Sequence, residues 1–130
     1  MTRTKAKLTL LALGMLLLPA CRTAPLLKPA PFKAAATPEK TKRAIEVALT
    51  NRGWLISKEE PGKIHANITV RGTVAQILIS YGDTVKIDYV DSQNLRYGMD
   101  NNGRTVINRH YNAWIQRLVS DINRNIMLGE

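Results

Sequence analysis

A single cysteine, Cys21, occurs in the 130 residues of the chain, so no intramolecular disulfide can form. The chain has two histidines, His65 and His110, which are 45 positions apart, whereas a metal site needs clustered ligands. Apolar runs are also short, because the longest, residues 8–18, has about half the length that a transmembrane helix needs. The sequence therefore predicts no disulfide, no membrane-spanning helix, no metal and no cofactor.

Catalytic constellations are missing too. Nucleophilic catalysis requires an activated serine, cysteine or lysine beside a base, and none of the serines has the glycine-flanked context of a hydrolase elbow. The sequence therefore predicts a protein that is not an enzyme. A small cell-wall or lipid hydrolase that uses His65 or His110 is a weaker alternative.

The first 21 residues have the parts of a secretory signal, with the basic segment MTRTKAK followed by the apolar segment LTLLALGMLLL. Leu18-Pro19-Ala20-Cys21 resembles the lipobox of bacterial lipoproteins, although Pro19 departs from the residues that are usual there. This resemblance implies that the signal peptide, residues 1–20, is removed. Cys21 would then carry diacylglycerol on its sulfur and a fatty acyl chain such as palmitate on its amino group. A secretory signal without lipidation is the alternative.

Arg22 follows the cysteine, where an aspartate is the usual signal for retention in the inner membrane. The resemblance therefore implies a lipid-anchored protein on the periplasmic face of the outer membrane.

Acidic residues are scarce, with 10 Asp and Glu against 19 Lys and Arg, which gives a net charge of +9. Residues 38–130 hold 13 of the basic and all 10 of the acidic residues, so this part carries only +3. A basic sequence can indicate nucleic-acid binding, but an exported protein seldom meets nucleic acid. We expect an envelope protein, peptidoglycan, lipopolysaccharide or another anionic lipid as the partner instead.

Residues 21–37 are predicted to be the lipidated cysteine followed by a linker rich in proline and alanine. A proline-rich spacer of this length could extend to about 50 Å. Leu26, Leu27 and Phe32 are unusually apolar for a linker. We expect them either to dock on the folded domain or to enter the membrane.

Residues 38–130 are predicted to form one α+β domain. Thr37-Pro38-Glu39 marks the start of a helix that ends near residue 51. A second helix is expected over 108–127, with Tyr111 and Trp114 on its buried apolar stripe. Between them, apolar residues alternate with polar ones in four segments joined by short turns. The order α-β-β-β-β-α predicts two layers, a four-stranded antiparallel meander with both helices packed on one face.

The other face of the sheet would be open, and it is the predicted binding surface. Lys63, His65, Asn67 and Arg71 are expected on it, and a second group, Arg96, Tyr97 and His110, flanks the long loop before the last helix. Leu55, Val74, Leu78 and Val90 add apolar area to the same face. Contiguous exposed apolar area is typical of interaction surfaces. An ordinary solvated face of an antiparallel sheet is the alternative.

Four stretches resemble a small family of proteobacterial lipoproteins: ALTNRGW (48–54), PGKIHANITVRG (61–72), VKIDYVDSQNLRYG (85–98) and INRHYNAWIQRL (107–118). The resemblance implies a periplasmic compartment and one compact domain, and it supplies no catalytic residue. The general plan also resembles the small envelope lipoproteins that support outer-membrane assembly complexes. We therefore expect a non-enzymatic lipoprotein that binds another envelope component, with a structural subunit of such a complex as the alternative.

Overall fold

The computed structural model describes residues 22–129, so the predicted signal peptide and Cys21 lie outside the described residues. The chain is α+β, with two helices and two antiparallel sheets. The elements are β1 (Thr23–Pro25), β2 (Phe32–Lys33), α1 (Pro38–Asn51), β3 (Leu55–Glu60), β4 (Lys63–Val70), β5 (Thr73–Tyr81), β6 (Thr84–Gln93), β7 (Gly98–Met99), β8 (Thr105–Asn108) and α2 (Arg109–Leu128).

The larger sheet has five strands in the order β2-β6-β5-β4-β3, and the smaller has three in the order β1-β8-β7. The predicted four-stranded meander is therefore matched only in part, because β2 is added beside β6 and a second sheet is present. These extra strands have two to four residues each. Segments that short do not show the alternation from which a strand is recognised in a sequence.

The core lies on one face of the larger sheet. Strands β4 and β5 bring their buried residues opposite one another, with Ile64 facing Ile79 and Ala66 facing Ile77. Both helices contribute to the same core, through Ile45 and Leu49 of α1 and Ile115, Leu118 and Ile122 of α2.

Polar contacts fix the helices at their ends and to each other. Thr37 caps α1 by accepting a hydrogen bond from the Lys40 N–H at 3.3 Å, and the predicted bounds of this helix, 38–51, are confirmed. The buried Asn125 Nδ2 donates to the Ala44 carbonyl at 3.1 Å and so ties α2 to α1. Arg52, just after α1, pairs with Asp121 at 2.7 Å, four positions before Asn125 in α2. Helix α2 therefore runs antiparallel to α1, and its first turns extend beyond the end of α1.

Residues 22–37 lie against the domain and do not form a free spacer. Strand β1 pairs with β8 and β2 pairs with β6. Of the two outcomes expected for Leu26, Leu27 and Phe32, docking is observed, because all three pack against the core. Asn112 holds this segment by accepting a hydrogen bond from the Leu27 N–H at 3.0 Å and donating one to the Pro25 carbonyl at 2.9 Å.

Candidate functional site

The seven predicted site residues lie in three different places. Lys63, His65 and Asn67 are on β4, on the face of the larger sheet away from the core, which we call the outer face. Arg71 was predicted on that face but lies beyond the end of β4, in the turn to β5, with a φ of 50°. Arg71, Arg96 and His110 belong to one end of the domain, and Tyr97 lines a separate cleft.

Strand register sets the pattern of the outer face. His65 lies opposite Leu78, which lies opposite Asp88, and Asn67 lies opposite Gln76. The predicted apolar residues are therefore separated by polar ones, with Leu55 paired to Asn67 and Val74 paired to Thr69. Leu55 and Val90 are exposed, but they lie on strands at opposite sides of β4 and β5.

Ion pairs neutralise much of the charge on the outer face. His65 Nε2 lies 3.1 Å from Glu60 Oε1, and Lys58 Nζ lies 3.3 Å from the same oxygen. The hydrogen bond with His65, followed by the contacts with Lys58, lowers the pKa of Glu60. Lys86 and Asp88 pair at 3.7 Å. This arrangement gives a hydrogen-bonding surface of mixed sign and no strong attraction for anions.

The end of the domain where β1 meets the start of α2 is basic. Arg22 immediately precedes β1, and its carbonyl accepts a hydrogen bond from the Arg109 N–H at 3.1 Å. A cavity of about 310 Å³ is lined by Arg22, Asn108, Arg109 and His110. A neighbouring cavity of about 290 Å³ shares Asn108 and His110 and adds Val70, Arg71, Thr73, Leu95 and Trp114. No acidic side chain lines either cavity.

Arg96 belongs to the same end because the loop that carries it is bonded there. The Asn108 N–H donates to the Leu95 carbonyl at 2.8 Å, and the Asn94 side chain donates to the Gly72 carbonyl at 2.8 Å. We call Arg22, Arg71, Arg96, Arg109 and His110 the basic end. All five are exposed, and none forms a salt bridge within residues 22–129.

Trp114 is the residue beside the basic end that sequence reasoning assigned only to the core. It is partly buried and packs against the core as predicted. It lines the cavity that holds Arg71 and His110, and also a further cavity of about 330 Å³, lined by Asn51, Arg52, Trp54, Ile68, Val70, Trp114 and Arg117. The helical spacing of Trp114 predicted one buried side, and nothing in the sequence indicated which residues its other side would face.

Tyr97 lines a cleft between the two sheets. Its ring is stacked on Tyr89 at a centroid distance of 4.3 Å, and Tyr89 meets Tyr111 edge to face at 5.7 Å. The cleft, which we call the Tyr97 cleft, has a volume of about 410 Å³ and is lined by Leu26, Lys28, Pro29, Lys86, Ile87, Asp88, Tyr89, Tyr97 and Thr105.

An unpaired strand edge borders this cleft. The Ala34 N–H donates to the Asp83 carbonyl at 2.9 Å, and Val85 of β6 pairs with Phe32 of β2. The odd-numbered residues at the start of β6 therefore direct their backbone N–H and C=O groups towards β2 and away from β5. Ile87 and Tyr89 have the same parity. Strand β2 begins at Phe32, opposite Val85, and no described strand pairs with Ile87 or Tyr89 on that side.

Within the described part of the chain, no three His, Cys, Asp or Glu side chains are grouped closely enough to hold a metal ion. No helix of residues 22–129 combines the length and apolar character that a membrane crossing requires. Comparisons of the chain with protein-family models, with curated proteins and with solved structures find no match.

Proposed function

We propose that the chain is a non-enzymatic lipoprotein, held on the periplasmic face of the bacterial outer membrane through Cys21, that binds another component of the cell envelope. The sequence pattern of residues 1–21 supports the proposed anchor, because a basic segment and an apolar segment precede the lipobox-like Leu18-Pro19-Ala20-Cys21. Two or more acyl chains on one residue make anchoring stable, since each buried CH₂ contributes about 0.8 kcal/mol.

The Tyr97 cleft is the observation that carries the binding proposal, and it favours a protein partner. An extended peptide can add itself to a strand edge by backbone hydrogen bonds, and Tyr89 is the partly exposed residue on this edge, since Ile87 is only 3% exposed. Tyr97 is 48% exposed although one ring face is stacked on Tyr89. An aromatic ring with one supported face and one open edge is a rigid contact surface for a partner side chain.

Photo-crosslinking in living cells tests the protein partner. A photoreactive phenylalanine analogue at Tyr97 is expected to give one discrete crosslinked band, and the same analogue at the exposed Met127 gives none. Equal crosslinking at both positions, or at neither, would contradict a protein partner at the cleft.

The outer face supports the second candidate, a peptidoglycan ligand. Lys63, His65 and Asn67 present hydrogen-bonding groups there, and Lys63 forms no salt bridge in the described residues. Titration of the isotope-labelled protein with peptidoglycan fragments would then shift the NMR signals of these three backbone amides, and the shifts would saturate as the fragment concentration rises. Shifts confined to Lys28, Lys86 and Tyr97 would instead assign the ligand to the Tyr97 cleft.

Membrane fractionation tests the anchor itself. The wild-type chain is expected in the membrane fraction, and Cys21→Ala is expected to be released to the soluble fraction or retained with its signal peptide. Equal release of both proteins would contradict lipid anchoring. The hydrolase alternative requires a measurable turnover that His65→Ala or His110→Ala abolishes.

A further inference from the structure

The chain is fixed to the domain immediately after the proposed lipid site. Arg22, the residue that follows Cys21, bonds to the backbone of Arg109, and Thr23 already pairs with Asn108 in the smaller sheet. Consecutive Cα atoms are about 3.8 Å apart. A lipid attached at residue 21 is therefore held within one residue of the folded domain, and the 50 Å spacer expected from the sequence does not separate them.

The surface next to that point is complementary to anionic headgroups. The basic end contributes four arginines and His110, with no acidic side chain in the two cavities that it lines. Trp114 borders the same cavity as Arg71 and His110, and tryptophan is enriched at the level of lipid headgroups. The opposite end of the sheet carries charges of both signs, among them Glu60, Lys63 and Asp83.

Two of these arginines occupy backbone positions that do not suit arginine. Arg71 and Arg96 have φ angles of 50° and 55°, in the left-handed region. The turn between β4 and β5 has positive φ at both Arg71 and Gly72, and Asn-Gly is the favoured pair for such a turn. Arginine at these positions therefore lowers stability, which indicates that its charge serves a purpose other than folding.

We infer that the basic end lies directly against the anionic headgroups of the membrane that holds the chain, so that the domain is oriented on the bilayer and not suspended from it. This inference rests on the proposed anchor at Cys21. Each arginine near an anionic surface shifts the ratio of docked to undocked protein by about fivefold. The outer face and the opposite end of the sheet remain accessible to other envelope components.

Fluorescence quenching on vesicles tests the orientation with the full lipidated chain. Because lipidation consumes the thiol of Cys21, a new cysteine is the only free thiol. Two threonines that are both exposed strand residues form a matched pair of label sites, Thr69→Cys next to the basic end and Thr84→Cys at the opposite end. In vesicles of phosphatidylglycerol and phosphatidylcholine with a headgroup quencher, the label at 69 is expected to be quenched at least twice as strongly as the label at 84.

Charge reversal provides the control. A triple variant at the basic end, Arg71→Glu with Arg96→Glu and Arg109→Glu, should abolish the difference in quenching between the two labels. A triple variant at the opposite end, Lys33→Glu with Lys40→Glu and Lys63→Glu, makes the same change in net charge and should preserve that difference. Flotation of the vesicles reports the anchor separately. Protein that floats but shows equal quenching at 69 and 84 overturns the orientation and leaves the anchor intact. Protein that carries no lipid and does not float overturns both.

Discussion

The two ends of the larger sheet form their hairpin turns in different ways. At the end away from Arg22, the turn between β3 and β4 places Gly62 at a φ of 78°, where an added Cβ would lie 3.3 Å from the Tyr81 carbonyl oxygen. At the basic end, the corresponding turn places Arg71 in the left-handed region, where side chains other than those of Gly, Asn and Asp are disfavoured. The comparison indicates that one end is optimised for stability and the other retains charge at some cost to it.

The largest difference in stability is expected between two variants that each truncate a large apolar side chain, one near each end of α2. Tyr111, in the first turn of α2 near the basic end, is 1% exposed, whereas Met127 in the last turn is 84% exposed. Tyr111→Ala should lower the free energy of unfolding by about 3–5 kcal/mol, and Met127→Ala should change it by less than about 0.5 kcal/mol. Urea denaturation measures both. Similar losses for the two variants would contradict the assignment of Tyr111 to the core.

The next largest loss of stability is expected from breaking the polar contact that joins α2 to the end of α1. The buried Asp121 accepts hydrogen bonds from Arg52 Nε at 2.7 Å and from Arg124 at 2.9 Å, and the bond from Arg52 lowers the pKa of Asp121. Asp121→Asn should cost about 1.5–3 kcal/mol at pH 7.

This tie also predicts a pH dependence with a defined sign. Because the pKa of Asp121 is lower in the folded state, the stabilisation is present above its unfolded pKa of about 3.9 and is lost as the pH falls below that value. The stability difference between wild type and Asp121→Asn should therefore shrink as the pH is lowered below about 4, as measured by urea denaturation at several pH values. A difference that stays constant down to pH 2 would exclude the ion pair as its source.

The attachment of the N-terminal segment at the basic end should respond to a single asparagine. Asn112→Ala removes both hydrogen bonds to residues 25 and 27, which are together worth about 1–3 kcal/mol. Faster amide hydrogen exchange is expected at Leu26 and Leu27, with little change in α1. Asn123→Ala is the matched control, because the Asn123 side chain bonds only to the Val119 carbonyl within its own helix. Equal exchange in both variants would mean that the other contacts suffice to hold the segment.

The smallest expected effect is a gain in stability. Arg71→Asn replaces an arginine at a φ of 50° with a residue that tolerates the left-handed region, and it should stabilise the fold by about 0.5–1 kcal/mol. Lys63→Asn, on a strand at the opposite end, should give no gain because asparagine is disfavoured in strands. Thermal denaturation compares the two. A loss of stability in Arg71→Asn would show that Arg71 makes a stabilising contact, and the comparison of the two turns would then fail.

Strong periodicity made part of the fold predictable. The Thr37 cap and the apolar spacing gave the bounds of α1 correctly, and alternation located β4 to within one residue at its end. Pairing of β1 and β2 was not predictable, because it depends on partners about 50 to 85 positions away, such as Val85 and Asn108. Short strands gain most of their stability from such contacts and leave little local pattern.

The candidate site was less predictable than the fold. Arg71 was expected on the outer face because it follows the alternation of Lys63, His65 and Asn67, but the strand ends one residue earlier and the turn redirects it. Its association with Arg22 and His110 depends on how β1 and α2 meet, which no local spacing encodes. Tyr97 was expected in one group with Arg96 and His110, whereas it stacks on Tyr89, which requires β6 and its loop to come together.

The most direct test of the account is the intact mass of the mature chain purified from the membrane fraction. The account predicts a chain that begins at Cys21 and carries the added mass of a diacylglyceryl group on sulfur and an acyl group on nitrogen, with both localised to the N-terminal peptide by fragmentation. A mature chain with an unmodified cysteine at position 21, or one cleaved at another residue, would contradict both the anchor and the orientation of the basic end on the membrane.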